Sequence, residues 1–300
     1  LNLLTGRAAV EPVKGPDANR PSISFDPDLA SLEPAPRAPD VSLKTNERFA
    51  TSERQQEKHY DTISAEYEAH YSDDSSREYR WRFIYEPMFS QIQLSGMNVL
   101  DAMCGSGQTT EFLLERGASV TGIDISKEVI DAFHSRWPEA QAIRRSLLDS
   151  DLPDSSFDCV TVVGGLHHIH PYVSEALVEI HRLLKPGGLF CFMEPHSGSF
   201  PDVIRKFWYK HDRFFSDNEA AIDLSSLERE FASRFSSRMV RYQGNLAFLL
   251  VLNSLIFRIP VNLKPYYSSP LMRVEGVVNK LQGKRMSCFV VGQWRKIADC

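Results

Sequence analysis

The stretch that most constrains this chain is Asn98–Phe112, NVLDAMCGSGQTTEF. Asn98–Met103 is a short apolar run of strand type, and Gly105-Ser106-Gly107 follows as a loop where backbone must pass close to something. Thr109–Arg116 then reads as a helix start, with its unpaired N–H groups aimed back at the loop. Strand, glycine loop and helix in that order build a nucleotide-sized pocket at the carboxyl end of a strand in an α/β sheet. Thr110 stands where a dinucleotide fingerprint needs a third glycine or alanine, and Asp101 precedes the glycines. A carboxylate there repels a pyrophosphate and suits a ligand carrying an ammonium group, which counts against a nicotinamide-dependent oxidoreductase.

The rest of the chain supports a sheet of this type. Ala118–Ile125 is a β-rich run closed by Asp124, about 20 residues past the loop, where an acid accepts both ribose hydroxyls. Lys127–Arg136 is the next helix, with Ser126 as its cap, and Gln141–Arg145 a weak third strand. Asp158–Leu166 is continuously apolar and so buried on both faces. It ends in Gly164-Gly165-Leu166-His167-His168-Ile169-His170, which puts imidazoles at the carboxyl end of a central strand. Adjacent histidines on a loop diverge and no carboxylate cluster joins them, so no metal site is expected. Val173–Leu184 is a helix, Lys185-Pro186-Gly187-Gly188 its stop, and Leu189–Met193 a fifth strand leading into Glu194-Pro195-His196.

These motifs carry a resemblance. D-A-M-C-G-S-G looks like the D-x-G-x-G-x-G loop of the class I S-adenosylmethionine-dependent methyltransferases, with Met103 where the first glycine is usual. Tyr60–Tyr67, YDTISAEY, resembles that family's Y-D-x-x-A-x-x-Y segment, and L-K-P-G-G before an apolar strand recurs at the expected place. The resemblance runs over about residues 46–193 and the C-terminal strands. It implies a Rossmann-like, doubly wound seven-stranded α/β sheet with an antiparallel last strand and S-adenosylmethionine as cofactor. It also implies cofactor contacts from Tyr60, Asp101, Ala102, Gly105, Ser106, Gly107, Asp124, Ile125 and Gly164. Ser146 takes the slot where the family often has an acid for the adenine amino group, with Asp149 as its substitute and Leu147 on the adenine face.

The implied reaction is methyl transfer to a small or lipid-like acceptor, at oxygen first and carbon second. A hydroxyl acceptor needs a base, and His168, then His167, Glu194 or His196 offer one from the strand ends. No N-P-P-Y or D-P-P-Y segment follows the fourth strand, and the net charge of −5 gives no footprint for nucleic acid. A protein of the same fold that binds without turnover is the alternative, with off-pattern Met103 and Ser146 as its evidence.

Composition marks off the tail, and the resemblance implies the rest of the domain plan. Residues 1–42 are a Pro-rich tail, and 43–95 a helical cap with an aromatic stripe at Phe49, Tyr60, Ile63, Tyr67 and Tyr71. Residues 96–196 form the cofactor-binding core, and 197–300 complete the sheet with insertions at 197–224 and 244–284. Helix Leu227–Phe235 and strands Met239–Gln243 and Met286–Arg295 are expected in that last part. Leu246–Phe257 is nearly all apolar and too short to span a bilayer, which needs about 20 residues. Packing against the core or a second copy, an acceptor pocket, and contact with a membrane surface are three roles open to it. Five cysteines without a C-x-x-C pair, and a start lacking a signal-peptide pattern, imply a reduced, cytoplasmic protein.

Overall fold

The computed structural model describes residues 49, 70–209 and 220–298, all within the second of the two units into which the chain divides, Leu43–Cys300. Helix α1 (Asp74–Arg80) opens it, capped by Asp73, whose carboxylate accepts from the backbone N–H groups of Ser75 and Ser76. It continues through a π-helical turn, Trp81–Tyr85, to a final turn at Glu86–Met88. Strands and helices then alternate: β1 (Asn98–Ala102), α2 (Gln108–Glu115), β2 (Ser119–Asp124), α3 (Lys127–Arg136), β3 (Gln141–Arg144), β4 (Phe157–Val163), α4 (Val173–Leu183) and β5 (Leu184–Pro195). After α5 (Phe200–Tyr209) and α6 (Leu224–Glu230) come β6 (Phe235–Gln243), α7 (Lys264–Leu281) and β7 (Phe289–Lys296).

The seven strands lie in the order β3-β2-β1-β4-β5-β7-β6. Pairings from β3 to β5 are parallel, and β7 is antiparallel to both β5 and β6. This is the seven-stranded Rossmann-like sheet the motifs imply. Its order reverses between β1 and β4, so the ends of those two strands flank a crevice, the usual ligand position in open α/β sheets.

Side chains alternate across the sheet with a period of two. Val99, Cys159, Cys191, Phe289 and Val291 face one core with Phe112 of α2, Phe133 of α3 and Tyr79 and Met88 of the α1 segment. Leu100, Val160, Phe190, Phe192 and Val290 face the other, packed by Leu177 and Ile180 of α4 and Leu227 of α6. A strand covered on both faces reads as a continuous apolar run, which is why β4 and β5 were visible in the sequence.

Three elements differ from expectation. Lys185-Pro186-Gly187-Gly188 is not a turn outside the sheet: Leu184 already pairs with Phe157, and the strand re-registers before Cys159 meets Leu189. Strand β6 begins at Phe235, ahead of the expected Met239, and helix α6 starts and ends earlier than Leu227–Phe235. The 244–284 insertion contains an 18-residue helix, α7, through which Pro270 passes without ending it.

Part of the 246–257 segment packs into the core. Ala247, Val251, Leu252 and Leu255 are buried, and Leu246 and Phe257 remain exposed. Helix α7 anchors this segment through Glu275, whose buried carboxylate accepts from Asn245 N (2.7 Å), Ala247 N (2.9 Å) and the Tyr79 hydroxyl (2.7 Å). Among the described residues no helix is long and apolar enough to cross a membrane, and the four described cysteines are free and buried.

Candidate active site

The glycine loop leaves β1 through Met103, whose φ of 56° is left-handed. A side chain in that region is strained by roughly 1–2 kcal/mol. Met103 therefore holds the backbone shape that a glycine would adopt freely, and the loop keeps its course at the off-pattern position. Gly105 (φ 54°) and Gly107 (φ 83°) continue it. At Gly107 a Cβ would sit 2.4 Å from the Trp137 indole nitrogen, so glycine is obligatory there. Trp137 also donates through Nε1 to the Ser106 carbonyl at 3.3 Å, and Gln108 Nε2 donates to the Ser106 hydroxyl at 2.9 Å.

Two carboxylates flank the loop. Asp101, buried at the end of β1, accepts from the Thr110 hydroxyl at 2.7 Å. Burial pushes its carboxyl up to about 7 against the pull of that hydrogen bond, with the nearby Asp124 charge adding to the rise. A buried carboxylate beside the loop, held by the hydroxyl and backbone N–H of Thr110, is what a cationic ligand group would neutralise. Asp124 ends β2; its Oδ2 accepts from Gly105 N and its Oδ1 from Ser126 N, both at 3.1 Å. Burial raises its carboxyl too, opposed by the backbone donors of Ser126, Gly105 and Ile125. Its roughly four lone-pair sites exceed these three backbone donors, so the group can still accept from a ribose hydroxyl. These residues fit a nucleoside bearing a cationic amino-acid arm.

The other expected contacts are spread around this core. Ala102 is fully buried in β1, and the Ile125 carbonyl accepts from Arg144 Nε at 2.9 Å. Gly164 (φ 67°) donates its N–H to the Met193 carbonyl at 2.7 Å. After β3, Leu147 is buried, and the Ser146 hydroxyl accepts from Leu148 N at 3.0 Å. Ser146 and Asp149 face one another as an isolated bridge. Tyr60 lies outside the described residues, as do 210–219 of the first insertion.

The ends of β4 and β5 hold the candidate bases. Leu166–His168 forms a short 3-10 turn after Gly165. Its first N–H groups converge on Glu194: Gly165 N and Leu166 N reach Oε1 at 2.8 and 2.7 Å, and His167 N reaches Oε2 at 3.3 Å. Oε2 also meets His167 Nδ1 at 2.8 Å. Glu194 is fully buried, and burial pushes its carboxyl up to about 7 while the backbone donors pull it down. The His168 ring lies against that of His167, with centroids 3.8 Å apart. Gly165 joins this cluster to the glycine loop, since a Cβ there would meet Met103 Sδ at 2.8 Å.

His196 is placed differently. It is fully buried, its Nε2 is 2.8 Å from the Ser287 hydroxyl, its Nδ1 3.1 Å from the Ser197 carbonyl, and its ring abuts Tyr242. Burial holds it below the ordinary histidine range. The structure thus brings His167, His168 and Glu194 together and ties His196 into the seam between β5 and the start of β7. Nothing in the sequence pointed to Trp137, and Thr110 stood out there as off-pattern without being paired with Asp101. Among the described residues no group of three His, Cys, Asp or Glu is arranged to hold a metal.

Residues 100–192 match the family model described as methyltransferase domain. An uncharacterized methyltransferase of Synechocystis is 32% identical over 119 residues, 39% of this chain and 56% of that protein. A demethylmenaquinone methyltransferase of Lysinibacillus sphaericus is 28% identical over 39% of this chain and 53% of its own length. A ubiquinone biosynthesis O-methyltransferase of Alkalilimnicola ehrlichii is 38% identical over 33% and 42%. The chain thus spans about half the length of these curated relatives. Two solved structures share the fold: a SAM-dependent methyltransferase of Thermotoga maritima (TM-score 0.53, 15% identity, 80% of this chain and 99% of that one) and a Pyrococcus horikoshii protein (TM-score 0.50, 17% identity, 75% and 95%). Glycine loop, sheet order and matched region agree, and the chain carries a class I S-adenosylmethionine-dependent methyltransferase domain.

Proposed function

We propose that the protein transfers a methyl group to a hydroxyl oxygen of a small, lipid-like acceptor, with His167 as the base. The observation that carries this is the buried Glu194 carboxylate at 2.8 Å from His167 Nδ1. When bound, S-adenosylmethionine supplies an electrophilic sulfonium methyl group. Asp124 would accept from its ribose hydroxyls, Asp101 would face its ammonium group, and Ser146 and Leu147 would border the adenine. With Nδ1–H donated to Glu194, the lone pair of His167 lies on Nε2. That nitrogen takes the acceptor's proton as the oxygen–methyl bond forms and the carbon–sulfur bond breaks. Glu194 fixes this tautomer and stabilises the imidazolium that results. His168, the first choice from sequence, then borders the base.

The acceptor class rests on two relatives named for quinone pathways, one as a demethylmenaquinone methyltransferase and one as a ubiquinone biosynthesis O-methyltransferase. A phenol or hydroquinone with an apolar tail fits both names. Methylation at a ring carbon is the second reading, favoured by the first of them. The test is turnover of S-adenosylmethionine with short-tailed catechols and hydroquinones, with products analysed for oxygen-linked or carbon-linked methyl groups. Oxygen methylation that disappears in His167→Ala supports the proposal. Carbon methylation, or oxygen methylation untouched by that substitution, would overturn it.

A further inference from the structure

A cleft of about 780 Å³ opens between the α1 segment, the end of β6 and α7. Among the described residues, Arg82, Arg241, Arg273 and Lys280 line it and no carboxylate does. All four are exposed, and none is ion-paired with a described residue. The Arg82 guanidinium lies 5.1 Å from the Phe83 ring centroid and reaches over Gly276 of α7. Gln243 and Asn279 also line it; Gln243 is buried, and its Oε1 and the Asn279 Nδ2 have no hydrogen-bond partner among the described residues. Four cations gather here on a chain whose net charge is −5. The unbalanced charge calls for a ligand with several anionic oxygens.

The outer face of α7 carries a second, independent anomaly. Tyr266 is 84% exposed, Leu281 82%, Val277 59% and Val274 50%. At about 100° per residue, these four share an arc of roughly 80°. Arg273 and Lys280 border that arc on the side facing the cleft. Glu275, the one acid of the helix, points the opposite way and is buried. A helix whose exposed stripe is apolar, edged with cations and free of acids is built to lie in the plane of a lipid–water interface.

A soluble phosphate compound would satisfy the cations and leave the apolar stripe in water. A nucleic acid would do the same. An apolar protein partner would leave the arginines unpaired. An anionic phospholipid surface answers both features at once, with phosphates at Arg82, Arg241, Arg273 and Lys280 and acyl chains over Tyr266, Val277 and Leu281. We propose that α7 and the adjoining basic cleft attach this protein to anionic phospholipid membranes. The attachment is separate from methyl transfer and is measured without acceptor or cofactor.

The experiment is co-sedimentation of the full chain with phosphatidylcholine vesicles, alone or with roughly a third phosphatidylglycerol. Sedimentation with the anionic vesicles only, reversed by raised salt, is expected. Arg273→Glu with Lys280→Glu should weaken it at least about tenfold, from a roughly fivefold effect per basic residue. Val277→Asp with Leu281→Asp should weaken it comparably, and both double variants should melt like the parent because the replaced side chains are exposed. Equal partition onto neutral vesicles, sedimentation with neither, or undiminished binding by either double variant would overturn the proposal. So would retention of duplex DNA, or a melting shift with millimolar inorganic phosphate, in a protein that ignores the anionic vesicles.

Discussion

His167 and Glu194 are 27 residues apart in the chain and meet across the ends of the adjacent parallel strands β4 and β5, with Nδ1 and Oε2 at 2.8 Å. The same carboxylate receives the N–H groups of Gly165, Leu166 and His167, so it fixes both the imidazole and the backbone turn that carries it. If this pair acts as a base, His167→Ala lowers kcat by roughly a hundredfold or more and leaves S-adenosylhomocysteine affinity unchanged. His168→Ala should cost far less. Steady-state kinetics beside calorimetric binding separates the outcomes, and full turnover by His167→Ala would remove the base assignment.

The pH profile should carry the signature of Glu194. Its carboxyl is pushed up to about 7 by burial, so it is protonated below that pH and charged above it. The charged form accepts Nδ1–H, leaves the lone pair on Nε2 and balances the imidazolium that forms there, and the neutral acid does not balance it. Turnover should therefore rise with pH through about 7 and level off above. Glu194→Gln, which cannot titrate, should be slow at every pH and lack that inflection. An unchanged profile in this variant would assign the inflection elsewhere.

Cofactor affinity should depend on Asp124. Removing a carboxylate that accepts from the ribose should weaken binding by about 2–3 kcal/mol, or roughly 30- to 150-fold. Calorimetry of Asp124→Ala against S-adenosylmethionine and S-adenosylhomocysteine measures this, and Asp124→Asn should fall between it and the parent. The parent should bind both ligands and not NADH. Undiminished affinity in Asp124→Ala would place the ribose elsewhere.

Asp101 should trade stability for binding. Its folded carboxyl sits at about 7 and its ordinary value is 3.8. Between those values the folded state holds a proton that the unfolded state has released, so stability falls as pH rises through this window. The full difference is on the order of 4 kcal/mol as an upper bound. Asp101→Asn should melt higher than the parent near pH 8, match it near pH 4, and bind S-adenosylmethionine more weakly. Parallel melting curves across that range would show that this carboxyl does not titrate between them.

Much of the site was legible because its parts are local. Asp101 through Gly107 is one continuous stretch running from the end of β1 into the loop, and Asp124 follows at the end of the next strand. Met103 looked like a defect in the loop, yet its φ of 56° shows the position keeping glycine's backbone shape under a larger side chain. The candidate bases were less legible. His167, His168 and His196 are alike as letters at strand ends, and what distinguishes them is a partner far along the chain. Glu194 for His167 follows from the β4–β5 register, and Ser287 for His196 lies 91 residues on. Helix α7 was hidden by Pro265 and Pro270 and by an outward face that is apolar where solvent-facing helices are polar.

Glu275 gathers three donors from two separate segments onto one carboxylate beneath α7. Through Tyr79 it grips α1, and through Asn245 and Ala247 it grips the chain just past β6. The helix is accordingly a strut braced into the body rather than a flap held by its apolar side. Whatever surface α7 rests on, the direction in which the carboxyl ends of the strands point is thereby set.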